Sequence, residues 1–272
     1  MKPRPFDYIR PDTVDEVLAL LAQYGDEARI LAGGQSLVPM LNLRLIDAAV
    51  LIDISRIAEL DSIRIDRSAL EIGAAVTQNE LLAWPDLARD FPLLAVGLRF
   101  VGHFQTRNKG TVCGSIAHGD PSSELPLLLA MYEGEVVLRS QRGTRAVRAE
   151  DFHKDMLTTA READEVVVAV RFPQRSKRRA VFREIARRHG DFAIIAVAAA
   201  AAENGGVMLG VGGMAGRPMT RTIAARDGAS ATDAIGQWAE ELEGYDDLHA
   251  SAAMRRDMFR KLAAHAVAEI LQ

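Results

Sequence analysis

Apolar positions along this chain recur with two different periods, and the changeovers divide it into three parts. Thr13-Val14-Asp15-Glu16 has the S/T-x-x-E pattern of a capping box, and Val17, Leu18, Leu20 and Leu21 carry a helical apolar stripe to Gly25. Residues 28–32 then form a short apolar run that predicts a strand, and 50–54 predict a second, buried one. These pieces make a small α/β unit over residues 1–55.

From Ile63 the period falls to two. Residues 62–65 and 70–74 alternate apolar and polar positions, as half-exposed strands do. Thr77-Gln78-Asn79-Glu80 repeats the capping-box pattern ahead of a short helix, and 92–100 predict another. Asp120 as N-cap and Pro121 at the first helical position predict a helix running to Tyr132 and stopping at Gly134. Residues 135–138 and 165–172 read as strands, the second ended by Pro173. This second unit spans 56–175.

A basic run over 174–179 marks the boundary to a third part, 176–272. There 180–186, 192–202 and 207–211 predict three strands, with Asn204-Gly205-Gly206 as the hairpin signal between the last two. Helices are expected over 231–242 and 252–271, the latter with Met254, Met258, Leu262, Ala266 and Ile270 on its apolar face. The expected fold class is α+β: two α/β subdomains, then a C-terminal part with a three-stranded antiparallel sheet and helices.

Composition narrows the chemistry. Thirty-seven acidic against 33 basic side chains leave a net charge of −4, which argues against a nucleic-acid partner. The single cysteine, Cys113, excludes an internal disulfide and cannot alone hold an iron–sulfur cluster. The six histidines are scattered, without zinc-like spacing, so no metal site is expected. Met1-Lys2-Pro3-Arg4-Pro5-Phe6 lacks an apolar signal core, and the apolar run 193–202 is too short to span a bilayer. The expectation is a cytoplasmic protein with no membrane span.

Two small-residue segments carry the candidate chemistry: Ala32-Gly33-Gly34-Gln35-Ser36-Leu37, and Lys109-Gly110-Thr111-Val112-Cys113-Gly114-Ser115-Ile116-Ala117-His118-Gly119-Asp120. Each offers backbone N–H groups and small hydroxyls with few bulky side chains in the way, which suits an anion such as a diphosphate. Neither has the GxGxxG or GxxxxGK[ST] spacing, so neither a Rossmann fingerprint nor a P-loop is present. Two such segments in one chain suggest a dinucleotide laid between two halves. Read alone, each could equally be a tight turn or a loop capping the next helix.

Those segments, with Val38-Pro39-Met40, Ile72-Gly73-Ala74, Arg107-Asn108, the stretch 120–126 and Gly190-Asp191-Phe192-Ala193, resemble the FAD-binding medium subunit of molybdenum hydroxylases. That is the carbon monoxide dehydrogenase and xanthine dehydrogenase family, and the similarity runs in order across nearly the whole chain. The resemblance implies a vanillyl-alcohol-oxidase-type flavin domain of two subdomains, plus a C-terminal domain special to the family. It also implies partners: a molybdopterin-containing large subunit and a small subunit with two [2Fe–2S] clusters, assembled as a dimer of heterotrimers. Electrons would pass from the clusters to FAD on this chain and on to an external acceptor.

The resemblance implies site residues as well. Ala32, Gly33, Gly34, Gln35, Ser36 and Leu37 would hold the diphosphate, with Thr111, Gly114 and Ser115 at the diphosphate and ribityl chain and Ala117 beside the ring or its linker. Family members commonly carry Gly-Gly-Asn where Cys113-Gly114-Ser115 stands; serine keeps a hydroxyl donor but is shorter. Glu124 would accept from ribose or ribityl hydroxyls, and it also suits the first turn of a helix. Asp120 is both a helix cap and part of the pattern. Leu157, next to Met156, matches an apolar patch near the flavin. Arg183 and Asp191 match polar positions there, although Arg183 also reads as a solvated strand residue. Phe192 stands where relatives often have tyrosine, so it keeps the aromatic face and loses the hydroxyl. No catalytic acid or base is expected. The competing readings are a stand-alone FAD-dependent oxidoreductase and a scaffold without cofactor; the first lacks a candidate general acid or base, and the second gives no reason to keep both glycine segments.

Overall fold

Three parallel strands open the chain and set the direction of everything that follows. The structure is a computed structural model and describes residues 1–174, 179–202, 205–225 and 228–272. Arg175 to Arg178 of the basic run and Asn204 of the hairpin signal lie outside the described residues. β1 (Asp7–Ile9), β2 (Ala28–Leu31) and β3 (Val50–Asp53) pair in the spatial order β1-β3-β2. The helix Val14–Tyr24 crosses from β1 to β2, and the Thr13 hydroxyl accepts the Glu16 N–H at its start. Its buried stripe of Val14, Val17, Leu18 and Leu21 packs on the sheet. β1 adds to the predicted strands: three partly exposed residues between Pro5 and Pro11 are too short to show a period. Because the strands are parallel, their carboxyl ends share one side, where open α/β sheets bind ligands. β2 runs out there directly into Ala32 and Gly33.

The second sheet is antiparallel. β4 (Ile63–Asp66), β5 (Ala69–Gly73), β6 (Glu135–Ser140), β7 (Gly143–Arg148) and β10 (Val166–Pro173) lie in the order β4-β5-β10-β6-β7. Between β7 and β10, β8 (His153–Asp155) and β9 (Thr158–Thr159) form a small hairpin. β7 escapes a periodicity reading because almost every one of its residues is exposed, at a sheet edge. The Thr77 capping box is present in full.

Two expectations here are corrected. The second glycine segment is not an open loop: Val112–His118 is a helix, capped by Thr111 and ended by Gly119 at φ +70°. The next helix is Glu124–Met131 with Ser123 at its N-cap, not one beginning at Asp120 and Pro121. The Pro121 carbonyl accepts the N–H of Gly213 at 2.8 Å, which holds that residue outside the helix. Asp120 instead accepts the Ser122 N–H at 2.8 Å, closing a turn.

The C-terminal sheet has four antiparallel strands rather than three: β11 (Ala180–Ile185), β12 (Ile195–Ala201), β13 (Val207–Gly212) and β14 (Met219–Ile223). β14 is a polar edge strand, MTRTI, with a single fully buried residue, so it carries little apolar signal. One sheet face is covered by the helices Gly228–Glu241 and Ala252–Leu271, with Trp238 edge-on to Phe259 at 5.1 Å. The other, through Ala196, Ala198 and Met208, joins the core shared with the helix Glu124–Met131. The buried face of the last helix is Arg255, Phe259, Ala263, Ala266, Val267 and Ile270, so Met254 is exposed. An alanine-rich helix discriminates poorly between neighbouring faces, and a buried arginine marks the true one. Among the described residues, no helix is long and apolar enough to cross a membrane.

Candidate functional site

Where β2 ends, the chain turns through Ala32 to Ser36 into the helix Leu37–Asn42. The N–H groups of Gly33, Gly34, Gln35, Ser36 and Leu37 find no acceptor among the described residues; the first N–H used beyond them is that of Val38, donated to Gly34. Ser36 stands at the N-cap position without a capping hydrogen bond, so its hydroxyl is free. A row of unsatisfied backbone donors needs water or an anion to complete it.

The second segment lies directly against the first. A β-carbon built on Gly33 would sit 2.7 Å from Gly110 Cα and closer still to the Lys109 carbonyl oxygen, so only glycine permits this approach. Thr111 is buried at the head of its helix, and its Oγ1 accepts the Gly114 N–H at 2.9 Å. That bond uses the Gly114 donor and leaves the Thr111 hydroxyl proton available. Val112 donates to Val76 and Gln78 to Gly110, which ties the segment to the strand-to-helix turn after β5.

Between these segments runs one cleft of about 920 Å³. It is lined by Ala32 through Leu37 on one side and by Thr111, Gly114, Ser115 and Ala117 on the other. Glu124, Leu157, Asp191 and Phe192 line it too. Asp120 and Arg183 do not: Asp120 closes its own turn, and the Arg183 guanidinium pairs with Glu269 on the last helix at 2.6 Å. The cleft also takes in residues the sequence reading passed over, notably Asp26, Arg29, Gln78 and Arg161. No spacing could have found them, because each comes from a different element.

The model of the FAD binding domain in molybdopterin dehydrogenase matches residues 4–175. The chain belongs to this family. Among its relatives, the caffeine dehydrogenase subunit beta of Pseudomonas sp. (strain CBB1) is 37% identical over 71% of this chain and 66% of its own length. The carbon monoxide dehydrogenase medium chain of Hydrogenophaga pseudoflava is 39% identical over 71% of this chain and 68% of its own. The match to the caffeine relative thus spans just under two thirds of it. Among solved structures, quinoline 2-oxidoreductase from Pseudomonas putida 86 superposes with a TM-score of 0.92 at 33% identity, covering 99% of this chain and 98% of that one. Residues 4–175 are therefore an FAD-binding domain of the molybdopterin dehydrogenase type.

The cleft suits the cofactor of that family. Its volume matches a large ligand, and the five unpaired N–H groups, the Ser36 hydroxyl and the Thr111 hydroxyl proton are the kind of donor set a diphosphate requires. Glu124 supplies a different kind of group. It is 3% exposed, and burial, reinforced by the neighbouring Glu184 and Asp120, pushes its carboxyl up to about 8, so at neutral pH it holds its proton. Glu184 on β11 is pushed up to about 7 by burial, and its Oε2 is buried without a partner among the described residues. Among the lining residues, Leu157 and Phe192 remain about half exposed, at 49% and 55%. Asp191 beside Phe192 pairs with Arg188 at 3.1 Å, which holds its carboxyl below the usual range. Cys113 donates to the Ile72 carbonyl, and burial drives its thiol upward, so it is inert packing rather than a redox group.

Proposed function

We propose that this chain is the electron-transfer FAD subunit of a multi-subunit molybdenum hydroxylase, taking electrons from the [2Fe–2S] clusters of a small partner and passing them to an external acceptor. The observation that carries the reading is the contact of Gly33 with Lys109 and Gly110, which sets the donor-rich turn 33–37 and the Thr111-capped helix on either side of one cleft. The names of the relatives, medium chain and subunit beta, support a place within a larger assembly.

When bound, FAD supplies a redox centre that exchanges electrons without bond-making by the protein. In this reading the N–H groups of Gly33 to Leu37 and the hydroxyls of Ser36 and Thr111 donate to its diphosphate. The protonated Glu124 carboxyl hydrogen-bonds sugar or ribityl hydroxyls without placing a negative charge near the phosphates. Leu157 and Phe192, half exposed at the cleft, would lie against the flavin ring and shield part of its faces from water. Ser115, Ala117 and Asp191 border the same cleft. No acid or base is assigned to substrate, whose oxidation belongs to the molybdopterin partner.

Co-expression with the partner subunits tests this. The expected result is a complex whose flavin absorbance bleaches when the substrate of the molybdopterin subunit is added, while the isolated chain is not reduced by that substrate. Rapid reduction of the isolated FAD-loaded chain by a small substrate would overturn the proposal.

A further inference from the structure

Arg29 and Arg161 line the cleft from two different sheets. Arg29 stands on β2, where its Nη1 donates to the backbone carbonyls of Asp26 and Ala28. Arg161 follows β9, and its Nη1 donates to the carbonyls of Glu162 and Glu165, each at 2.8 Å. Other arginines have taken the acids of that loop. Arg145 grips both oxygens of the Glu165 carboxylate, at 2.6 and 2.7 Å, and Arg142 pairs with Glu162 and Asp164. Among the described residues, the remaining nitrogens of Arg29 and Arg161 have no partner, and neither side chain is ion-paired.

Arg161 is exposed to water, yet it is held below the ordinary arginine range, by burial first and by Arg29 as well, against the pull of Glu165, Asp26 and Asp164. A guanidinium is both wetted and surrounded only on a concave wall, and the charge of Arg29 reaches it there. Apolar neighbours in the chain line the cleft beside them: Leu21 and Ile30 near Arg29, Ala163 and Val166 near Arg161. A phosphate has no use for such walls. A flat heteroaromatic base does, because its faces are apolar, its ring nitrogens accept hydrogen bonds, and guanidinium planes stack on it. Arg29 precedes Gly33 by four residues. That is up to about 13 Å of extended strand, the span of a nucleoside from its phosphate to the far edge of its base.

We propose that Arg29 and Arg161 form the adenine subsite of the cleft, holding the purine by stacking and by N–H donation to its ring nitrogens. The inference rests on the FAD reading and deepens it: the diphosphate, the ribityl chain and the flavin ring have partners in that reading, whereas the base had none.

The test is fluorescence titration of the flavin-stripped full chain with FAD and with FMN, and displacement of FAD by ADP. Wild type is compared with Arg29→Met, Arg161→Met and Arg161→Lys. FMN carries the flavin and a phosphate without adenosine; ADP carries adenosine and the diphosphate without the flavin. Each methionine variant is expected to weaken FAD and ADP by about tenfold and to leave FMN unchanged. Arg161→Lys keeps the charge and loses the plane, so it should fall nearly as far as methionine. The ratio of FAD to FMN affinity within each variant separates recognition from folding, since a destabilised chain loses both ligands alike. An equal loss of FMN, undiminished binding of FAD and ADP by the methionine variants, or full rescue by lysine would overturn the adenine subsite and leave the cleft assignment standing. If wild type binds neither FAD nor ADP, the cleft assignment fails, and this inference with it.

Discussion

Gly33 and Lys109 touch through their backbones: no β-carbon fits on the first without displacing the carbonyl of the second. Seventy-six positions apart in sequence, they bring the end of a parallel strand against the loop that leads to the Thr111 cap. Gly33→Ala should therefore push the two segments apart. We expect FAD affinity to fall by at least about a hundredfold, some 2.7 kcal/mol, while far-ultraviolet circular dichroism is retained. Titration of the flavin-stripped variant checks this, and unchanged affinity would remove the cradle from the account.

Glu124 makes stability depend on pH. Its folded-state pKa of about 8 lies above the ordinary carboxyl value of 4.5, so between these limits the unfolded chain has lost a proton that the native one keeps. Stability attributable to this group is therefore greatest at low pH and falls as pH rises, by about 1.4 kcal/mol per unit, until the native carboxyl ionises. Glu124→Gln removes that slope. In urea unfolding of the ligand-free chain, the variant should gain on wild type between pH 5 and pH 8 as ordinary carboxyls have already titrated. A parallel pair of profiles would show that the native carboxyl is ionised.

Arg255 ties the last helix to the loops that flank β12 and β13. Its guanidinium donates to the carbonyls of Ile194 and Gly213, pairs with Asp247 at 2.6 Å and lies 4.2 Å from the centre of the Tyr245 ring. Ile194 is two residues from Phe192, and Gly213 donates to Pro121, which leads to Glu124. Arg255→Met strands the carbonyls of Ile194 and Gly213, and should cost about 2–4 kcal/mol of stability. Differential scanning calorimetry measures it; a loss under about 1 kcal/mol would mean that the cluster relaxes freely.

Phe192→Ala tests the placing of the flavin ring. Removing the half-exposed ring should leave FAD bound but raise the quenching of its fluorescence by iodide. No change would place the flavin ring away from this residue.

Much of this was legible in the sequence, for identifiable reasons. The strand-to-glycine junction at Leu31-Ala32-Gly33 and the caps at Thr13 and Thr77 are local signals, written in consecutive residues, although only the second forms a full capping box. The long-range features were not. Whether Arg183 meets the cleft or Glu269 depends on which face of β11 turns inward, and one strand position decides it. The last helix differs from its expected face by a single position, since alanines at 263, 264 and 266 suit either. β7 and β14 are polar edge strands whose pairing lies in backbone hydrogen bonds, to which apolar periodicity is blind. Gln78 read only as the residue after a cap, because the cleft it lines is assembled from other elements.

Backbone hydrogen exchange tests the central claim most directly. The amides of Gly33 to Leu37 have no acceptor within the described protein, so in the flavin-stripped chain they should exchange rapidly. On adding FAD, and equally on adding ADP, the account expects peptides covering 33–37 to become strongly protected. Saturating FAD that leaves those amides as exposed as before would contradict it.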